Sequence, residues 1–156
     1  MNKITGTIIT LNAEKYIERA IKSLQSICDE VVVLDSESTD LTRDIAVKSG
    51  AKVFIQSFLG DGAQKKEASK FSKNNWIFSM DADEYLANDL VEFIKTINLN
   101  GDYDSYSFRR KNYCGDEWIK AAGFYPDEVT RLYDKTKVNY DTRADHAAVA
   151  LSLIHI

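Results

Sequence analysis

Two aspartates spaced two apart, in Asp81-Ala82-Asp83-Glu84, follow the apolar run Trp76-Ile77-Phe78-Ser79-Met80. The run reads as a buried strand, so both carboxylates leave its end toward the mouth of a sheet. Ionised carboxylates repel one another and lose hydration when they cluster, and a bound cation relieves both costs. Oxygen-only ligands suit a hard divalent ion, Mg²⁺ or Mn²⁺, which also holds a diphosphate. The tetrapeptide reads equally as a solvated acidic turn that starts a helix, and the motif alone does not separate the two.

The acids need elements to carry them. Residues 4–10 are β-branched and apolar, as in a strand. Asn12 is placed to cap a helix in which Tyr16, Ile17, Ala20, Ile21, Leu24 and Ile27 recur at helical spacing. Val31-Val32-Val33-Leu34 is an unbroken apolar run, the pattern of a strand buried on both faces. Asp40 is placed to cap a short helix through Ile45 and Val47, which Gly50 stops. A third strand covers 52–55, and Gly60-Asp61-Gly62 opens a helix running to about Ser72. After the fourth strand, Asn88 or Asp89 caps a helix that buries Leu90, Val91, Phe93, Ile94 and Ile97. The alternation predicts an α/β fold: a mainly parallel sheet with right-handed crossovers and helices on both faces. The remainder is strand-rich and aromatic-rich. Tyr106, Phe108 and Arg110 alternate with polar neighbours, Cys114-Gly115-Asp116-Glu117 reads as a turn, and strands are expected at Trp118-Ile119 and over 129–133.

Ligands bind beyond the carboxyl ends of the strands in an open parallel sheet. Three polar segments fall there: Thr10-Leu11-Asn12-Ala13-Glu14, Asp35-Ser36-Glu37-Ser38-Thr39-Asp40, and the acidic tetrapeptide. Each alone is capping chemistry, and their convergence on one edge predicts a site. Asp35, ending a strand, stands where an acid accepts hydrogen bonds from a base or ribose. No Gly-x-Gly-x-x-Gly follows the first strand and no Gly-x-x-x-x-Gly-Lys-Ser/Thr occurs, which sets aside a dinucleotide fingerprint and a P-loop.

At 156 residues, 44% hydrophobic and 28% charged, the chain is long enough for one domain with a sizeable core. A net charge of −4 gives no global electrostatic case for nucleic-acid binding. Arg109-Arg110-Lys111 is able to meet a phosphate, as are Lys65, Lys66, Lys70 and Lys73, though a solvated helix face is the plainer reading of the lysines. Cys28 and Cys114 lack metal-ligand spacing and read as small apolar fillers in a reducing compartment. No stretch approaches the length of a membrane span, so a cytoplasmic location is expected, with peripheral contact at the inner membrane face left open. Oligomeric state is not legible.

Together, Ile8-Ile9-Thr10-Leu11-Asn12-Ala13-Glu14, Val33-Leu34-Asp35-Ser36 with Ser38-Thr39-Asp40, and Asp81-Ala82-Asp83-Glu84 resemble the three signatures of family 2 glycosyltransferases with a GT-A fold. Gly62-Ala63-Gln64-Lys65, and Gly123-Phe124-Tyr125-Pro126-Asp127 leading to Arg131-Leu132, narrow the resemblance to bacterial transferases of the lipopolysaccharide inner core.

The resemblance implies a Rossmann-like sheet and an inverting transfer of a sugar, glucose at the family level. The donor would be a UDP-sugar and the acceptor a lipopolysaccharide core, another glycolipid or an oligosaccharide. Thr10, Asn12, Glu14 and Asp35 would hold the uridine, and Lys65 belongs to the same nucleotide-sugar set. Asp81 and Asp83 would face ribose and diphosphate. Asp83, with Asp81 beside it, would ligate Mg²⁺ or Mn²⁺. His146 resembles the late histidine that completes coordination, although the subgroup carries His-Glu where this chain has His146-Ala147; the plain reading is a surface residue. Arg131 would pair with phosphate bidentately. Asp127 is the expected general base, with Glu128, Asp116 and Glu117 as competitors and a turn residue after Pro126 as its plain reading. Trp118, Tyr125 and Phe124 would stack on sugar rings or fill the core.

A nucleotide-binding fragment or module without catalytic activity is the alternative. A nucleotidyltransferase, which also uses strand-end acids, lacks the glycine-rich basic loop after the first strand. The domain is expected over 1–150. Leu151-Ser152-Leu153-Ile154-His155-Ile156 can be encoded by a string resembling a transposon end used in sequencing libraries, so 151–156 is expected to be non-native and the natural protein to continue differently.

Overall fold

A strand that is apolar throughout belongs inside a sheet covered on both sides, and the run ending at Asp35 is buried at every position. The computed structural model, which describes residues 2–142, places it there. β1 (Ile4–Thr10), α1 (Ile17–Gln25), β2 (Glu30–Asp35), α2 (Thr42–Lys48), β3 (Lys52–Ile55), α3 (Asp61–Lys70), β4 (Trp76–Asp81) and α4 (Asn88–Thr96) alternate. β5 (Ser105–Arg110), β6 (Tyr113–Cys114), β7 (Glu117–Trp118) and β8 (Asp127–Asp134) follow. The main sheet runs β3-β2-β1-β4-β8-β5, with β1 to β4 parallel and β8 antiparallel to both its neighbours. The expected mainly parallel sheet with flanking helices is what forms. Its strand-rich second half extends the same sheet, and β6 and β7 make a small separate ribbon.

Alternation sends Ile4, Ile8, Val31, Val33, Phe78 and Met80 to one face, where α1 adds Ile17, Ala20, Ile21 and Leu24 and α4 adds Ile94. Gly6 lies on this face. A Cβ there would stand 2.9 Å from Leu24 Cδ1 and 3.2 Å from Cys28 Sγ, so glycine is what lets α1 lie so near. α3 covers the opposite face without an apolar stripe. It buries Gly62, Gln64, Lys65, Ala68 and Ser69, and three of these are small enough to seat the helix close to the sheet. Among the described residues no helix is long and apolar enough to cross a membrane.

Several local expectations change. α1 starts at Ile17 behind Tyr16 with no side-chain cap, and Asn12, at φ 49°, lies upstream of it. Asp40 does serve the first turn of α2, accepting from the Thr42 N–H at 2.9 Å, although Leu41 holds the cap position. Ala87, not Asn88 or Asp89, precedes α4. Tyr16, Val47 and Phe93 are exposed, because these helices turn only a narrow face to the sheet. Cys28 is a buried filler whose thiol pKa is pushed up by burial and by Asp29, whereas Cys114 is exposed at the hairpin turn. His146 and the 151–156 tail lie outside the described residues.

At the amino edge one carboxylate ties four segments. Glu30 Oε2 accepts from the Thr5 hydroxyl at 2.7 Å and the Lys73 N–H at 2.9 Å, and Oε1 accepts from the Lys52 ammonium at 2.6 Å. Burial alone would raise its pKa, but Lys52 and these donors hold it below the ordinary carboxylate value. A depressed native pKa contributes stability above the unfolded-state pKa, and the contribution is lost as pH falls through the native one. Urea unfolding should therefore show the wild type weakening below about pH 4. Glu30→Gln, less stable at neutral pH, should show a shallower slope in that window; equal slopes would remove Glu30 from the acid response.

Candidate functional site

Strand register decides what meets at the carboxyl edge. Thr10 pairs with Asp35 and Ile9 with Asp81. The ends of β2 and β4 therefore flank the end of β1, about 10 Å apart at two inter-strand spacings. The three polar segments share one edge, as expected. Alternation separates them by face: Thr10 and Asp35 point to the side of α1 and α2, and Asp81 to the side of α3.

The β1 and β2 loops are laced together. Backbone N–H groups of Asn12, Ala13 and Glu14 donate to Ser38 Oγ at 2.8 Å, Thr42 Oγ1 at 2.8 Å and Asp40 Oδ2 at 3.2 Å. In return the Thr39 N–H donates to Asn12 Oδ1 at 2.8 Å and the Leu41 N–H to Glu14 Oε2 at 3.0 Å. Asp35 is fully buried beneath them. It accepts from the Ser38 N–H at 2.9 Å and the Ser38 hydroxyl at 2.5 Å, with Arg43 Nε at 3.7 Å. Asn12, Glu14 and Asp35 thus shape the loops before any ligand enters. The Thr10 hydroxyl, buried beside Asp35, has no partner among the described residues.

The β4 side is built from charge. Asp81, one-third exposed, has Lys65 Nζ at 2.8 Å from one oxygen and an Arg131 nitrogen at 3.4 Å from the other. Burial would raise its pKa, but the charges of Lys65 and Arg131 hold it below the usual range. Lys65 is only 5% exposed, so the expected solvated face fails at the lysine that matters. Its helix packs by small and polar residues, and Asp81 supplies the counter-charge. Arg131 sits at an irregularity: Tyr106 pairs with Leu132 and Ser107 with Thr130, which leaves Arg131 as the extra residue of a bulge. Bulges re-aim side chains next to active sites.

Glu84 joins this cluster. Its Oε1 lies 2.5 Å from Arg131 and 3.2 Å from Arg110, and its Oε2 accepts from the Asp81 N–H at 3.1 Å. Arg110 in turn donates to Asp127 at 2.8 Å, where Asn112 donates at 3.0 Å. Burial pushes the Asp127 pKa up, but the hydrogen bonds from Asn112 and Arg110 outweigh it and keep the carboxyl below its ordinary value. Asp127 is therefore ionised at neutral pH.

Asp83 differs from all of these. It is exposed and has no ion pair or hydrogen bond to a described residue. Among the described residues no three or more His, Cys, Asp or Glu side chains gather as a metal cage. Mg²⁺ or Mn²⁺ in a phosphate site commonly takes only one or two protein carboxylates, with phosphate oxygens and water completing the shell. Asp83 fits that donor set. Both Asp81 oxygens face cations already.

Sequence reasoning passed over Ser38 and Glu84 as site residues, and reached Arg110 only within a basic cluster able to meet a phosphate. Ser38 and Glu84 stood inside quoted motifs, but besides Asp35 and Asp81 three positions away they bond partners 26 to 47 positions away, and no local pattern announces those distant pairings. A cavity of about 470 Å³ between α1 and α4, lined by Arg19, Ser23, Tyr85 and Leu86 among others, lies off this edge.

A family model for glycosyl transferase family 2 matches residues 7–151. An uncharacterized glycosyltransferase of Rickettsia typhi is 41% identical over 140 residues, 86% of this chain and 47% of that protein. The lipopolysaccharide core biosynthesis glycosyltransferase LpsC of Rhizobium meliloti is 28% identical over 149 residues, 88% of this chain and 53% of its own length. The chain spans about half the length of these curated relatives. Among solved structures, S. aureus TarS 1–349 in complex with UDP-GlcNAc aligns with a TM-score of 0.50 at 26% identity, over 60% of this chain and 30% of that one.

Ser38 bonds to both loops at once, so Ser38→Ala should strand the Asn12 N–H and one oxygen of Asp35. The expected loss is about 1–3 kcal/mol in urea unfolding. A variant as stable as wild type would show that the lacing is dispensable.

Proposed function

Because the chain belongs to glycosyl transferase family 2, we propose that it takes a sugar, glucose in the simplest case, from a UDP-sugar and passes it with inversion to a lipopolysaccharide-core or related glycan acceptor. One observation carries this reading: a single sheet edge holds the laced β1–β2 loops, a neutralised Asp81 and an Asp83 that is unpaired among the described residues. The UDP-GlcNAc bound by TarS supports the donor class, and the name of LpsC supports the acceptor class.

The uridine lodges against Thr10, Asn12 and Glu14, with Asp35 ordering the loop that receives it. Ribose and diphosphate cross toward Asp81, where Lys65 and Arg131 bring positive charge. Asp83 would hold Mg²⁺ or Mn²⁺, with Asp81 beside it and His146 as a further ligand candidate. The ion, when bound, supplies Lewis-acid neutralisation of the leaving diphosphate. Asp127 removes the acceptor proton. Its lowered pKa makes it a modest base, suited to a hydroxyl that turns acidic only as the new bond to the anomeric carbon forms. Trp118 and Tyr125 meet edge to face at 5.1 Å, and with the half-exposed Phe124 they offer a platform for sugar rings. A glycolipid acceptor places the reaction at the cytoplasmic membrane face, reached by peripheral contact.

The second reading is a nucleotide-binding unit that does not transfer sugar, favoured by the β1–β2 loops, which hold a binding surface in shape by themselves. Thermal melting separates the two. UDP with Mn²⁺ at about 100-fold over its dissociation constant should raise the wild-type Tm by about 5 °C or more. Asp83→Asn should keep the unliganded Tm and lose the Mn²⁺-dependent part. Absence of any wild-type shift would overturn both readings, and a shift without sugar hydrolysis or transfer would favour the second.

A further inference from the structure

The acidic and basic side chains of the site form one unbroken row. It runs Asp127–Arg110 at 2.8 Å, Arg110–Glu84 at 3.2 Å, Glu84–Arg131 at 2.5 Å, Arg131–Asp81 at 3.4 Å and Asp81–Lys65 at 2.8 Å. Three acids alternate with three bases drawn from β8, β5, β4, α3 and the turn after β4. Glu84 is the middle acid. We propose that Glu84 is a positioning residue through which occupation of the donor site by diphosphate is communicated to Asp127 on the acceptor side. This rests on the reading of the donor site given above.

Two features of Glu84 support the assignment. Its place is set by β4 itself, because the Glu84 N–H donates to the Asp81 carbonyl at 3.1 Å while the Asp81 N–H donates to Glu84 Oε2 at 3.1 Å. The other oxygen, Oε1, is shared by two guanidinium groups. Sharing one acceptor makes the two arginines competitors. A diphosphate that draws Arg131 away leaves Oε1 to Arg110, whose hold on Asp127 then loosens. The Asp127 carboxylate is thereby released toward an acceptor hydroxyl once the donor is in place. Arg131 is nearly buried and Arg110 is two-fifths exposed, so the buried end senses donor and the exposed end meets acceptor. Both Glu84 oxygens are engaged, Oε1 by the two guanidinium groups and Oε2 by the Asp81 N–H, so Glu84 acts through Arg110 and Arg131 and not on the sugar.

Arginine side-chain NMR on the full chain reads this without turnover. UDP with Mg²⁺ should shift the Nε–H signals of both Arg131 and Arg110 in the wild type. In Glu84→Gln the Arg131 response should remain and the Arg110 response should be abolished, with the melting shift by UDP retained. Glu84→Asp, which keeps the charge but is one methylene too short to bridge both arginines, should behave the same way and serves if the glutamine variant does not fold. An Arg110 response as large as wild type in either folded variant overturns the coupling, as does a wild type whose Arg131 alone responds. Loss of all UDP-induced shifts in the wild type instead overturns the donor-site reading on which the inference stands.

Discussion

Asp81 ends a parallel strand on the face that α3 covers, and its charge must be answered there. Lys65 reaches it from the helix and Arg131 from β8. Both cations are nearly buried, and a buried charge without a partner is expensive, so each of the three depends on the others. The interaction also fixes architecture. Arg131 arrives only because β8 runs antiparallel beside β4 and bulges at that residue. α3 lies close enough for Lys65 only because its sheet-facing residues are small or polar.

The two halves of the edge are built by different forces. Around Asp35 the loops hold each other by short hydrogen bonds, many of them to backbone N–H groups. Such an arrangement pre-forms a surface of fixed donors and acceptors, which suits a neutral heterocycle and its ribose. Around Asp81 and Glu84 the structure relies on ion pairs. An incoming diphosphate can compete for those arginines and lysines, so this half is able to rearrange. The edge is therefore stiff where a base would be read and adjustable where charge would develop.

Much of the fold was legible because parallel strands announce themselves. The run Val31-Val32-Val33-Leu34 and the alternation with helices suffice to place β1 to β4, and the carboxyl-edge rule then brings Thr10, Asp35 and Asp81 together. Helix starts were less legible. Asn12 has capping chemistry, yet its side chain serves Thr39 across the edge, since a local cap and a tertiary partner look alike in sequence. The burial of Lys65, though not its place in the nucleotide-sugar set, was hidden among lysines for a similar reason: burial depends on what faces the residue.

The order of elements, the register-bearing apolar runs, and the kinds of side chain available at the strand ends were set by the sequence alone, because hydrophobic periodicity is a local property. The sharing of Glu84 between Arg110 and Arg131, the separation of Asp35 and Asp81 onto opposite faces, and the exposure of Asp83 were decided only on folding. Those features depend on distances between residues dozens of positions apart. Such distances come into being only when β8 inserts beside β4 and α3 settles on the sheet.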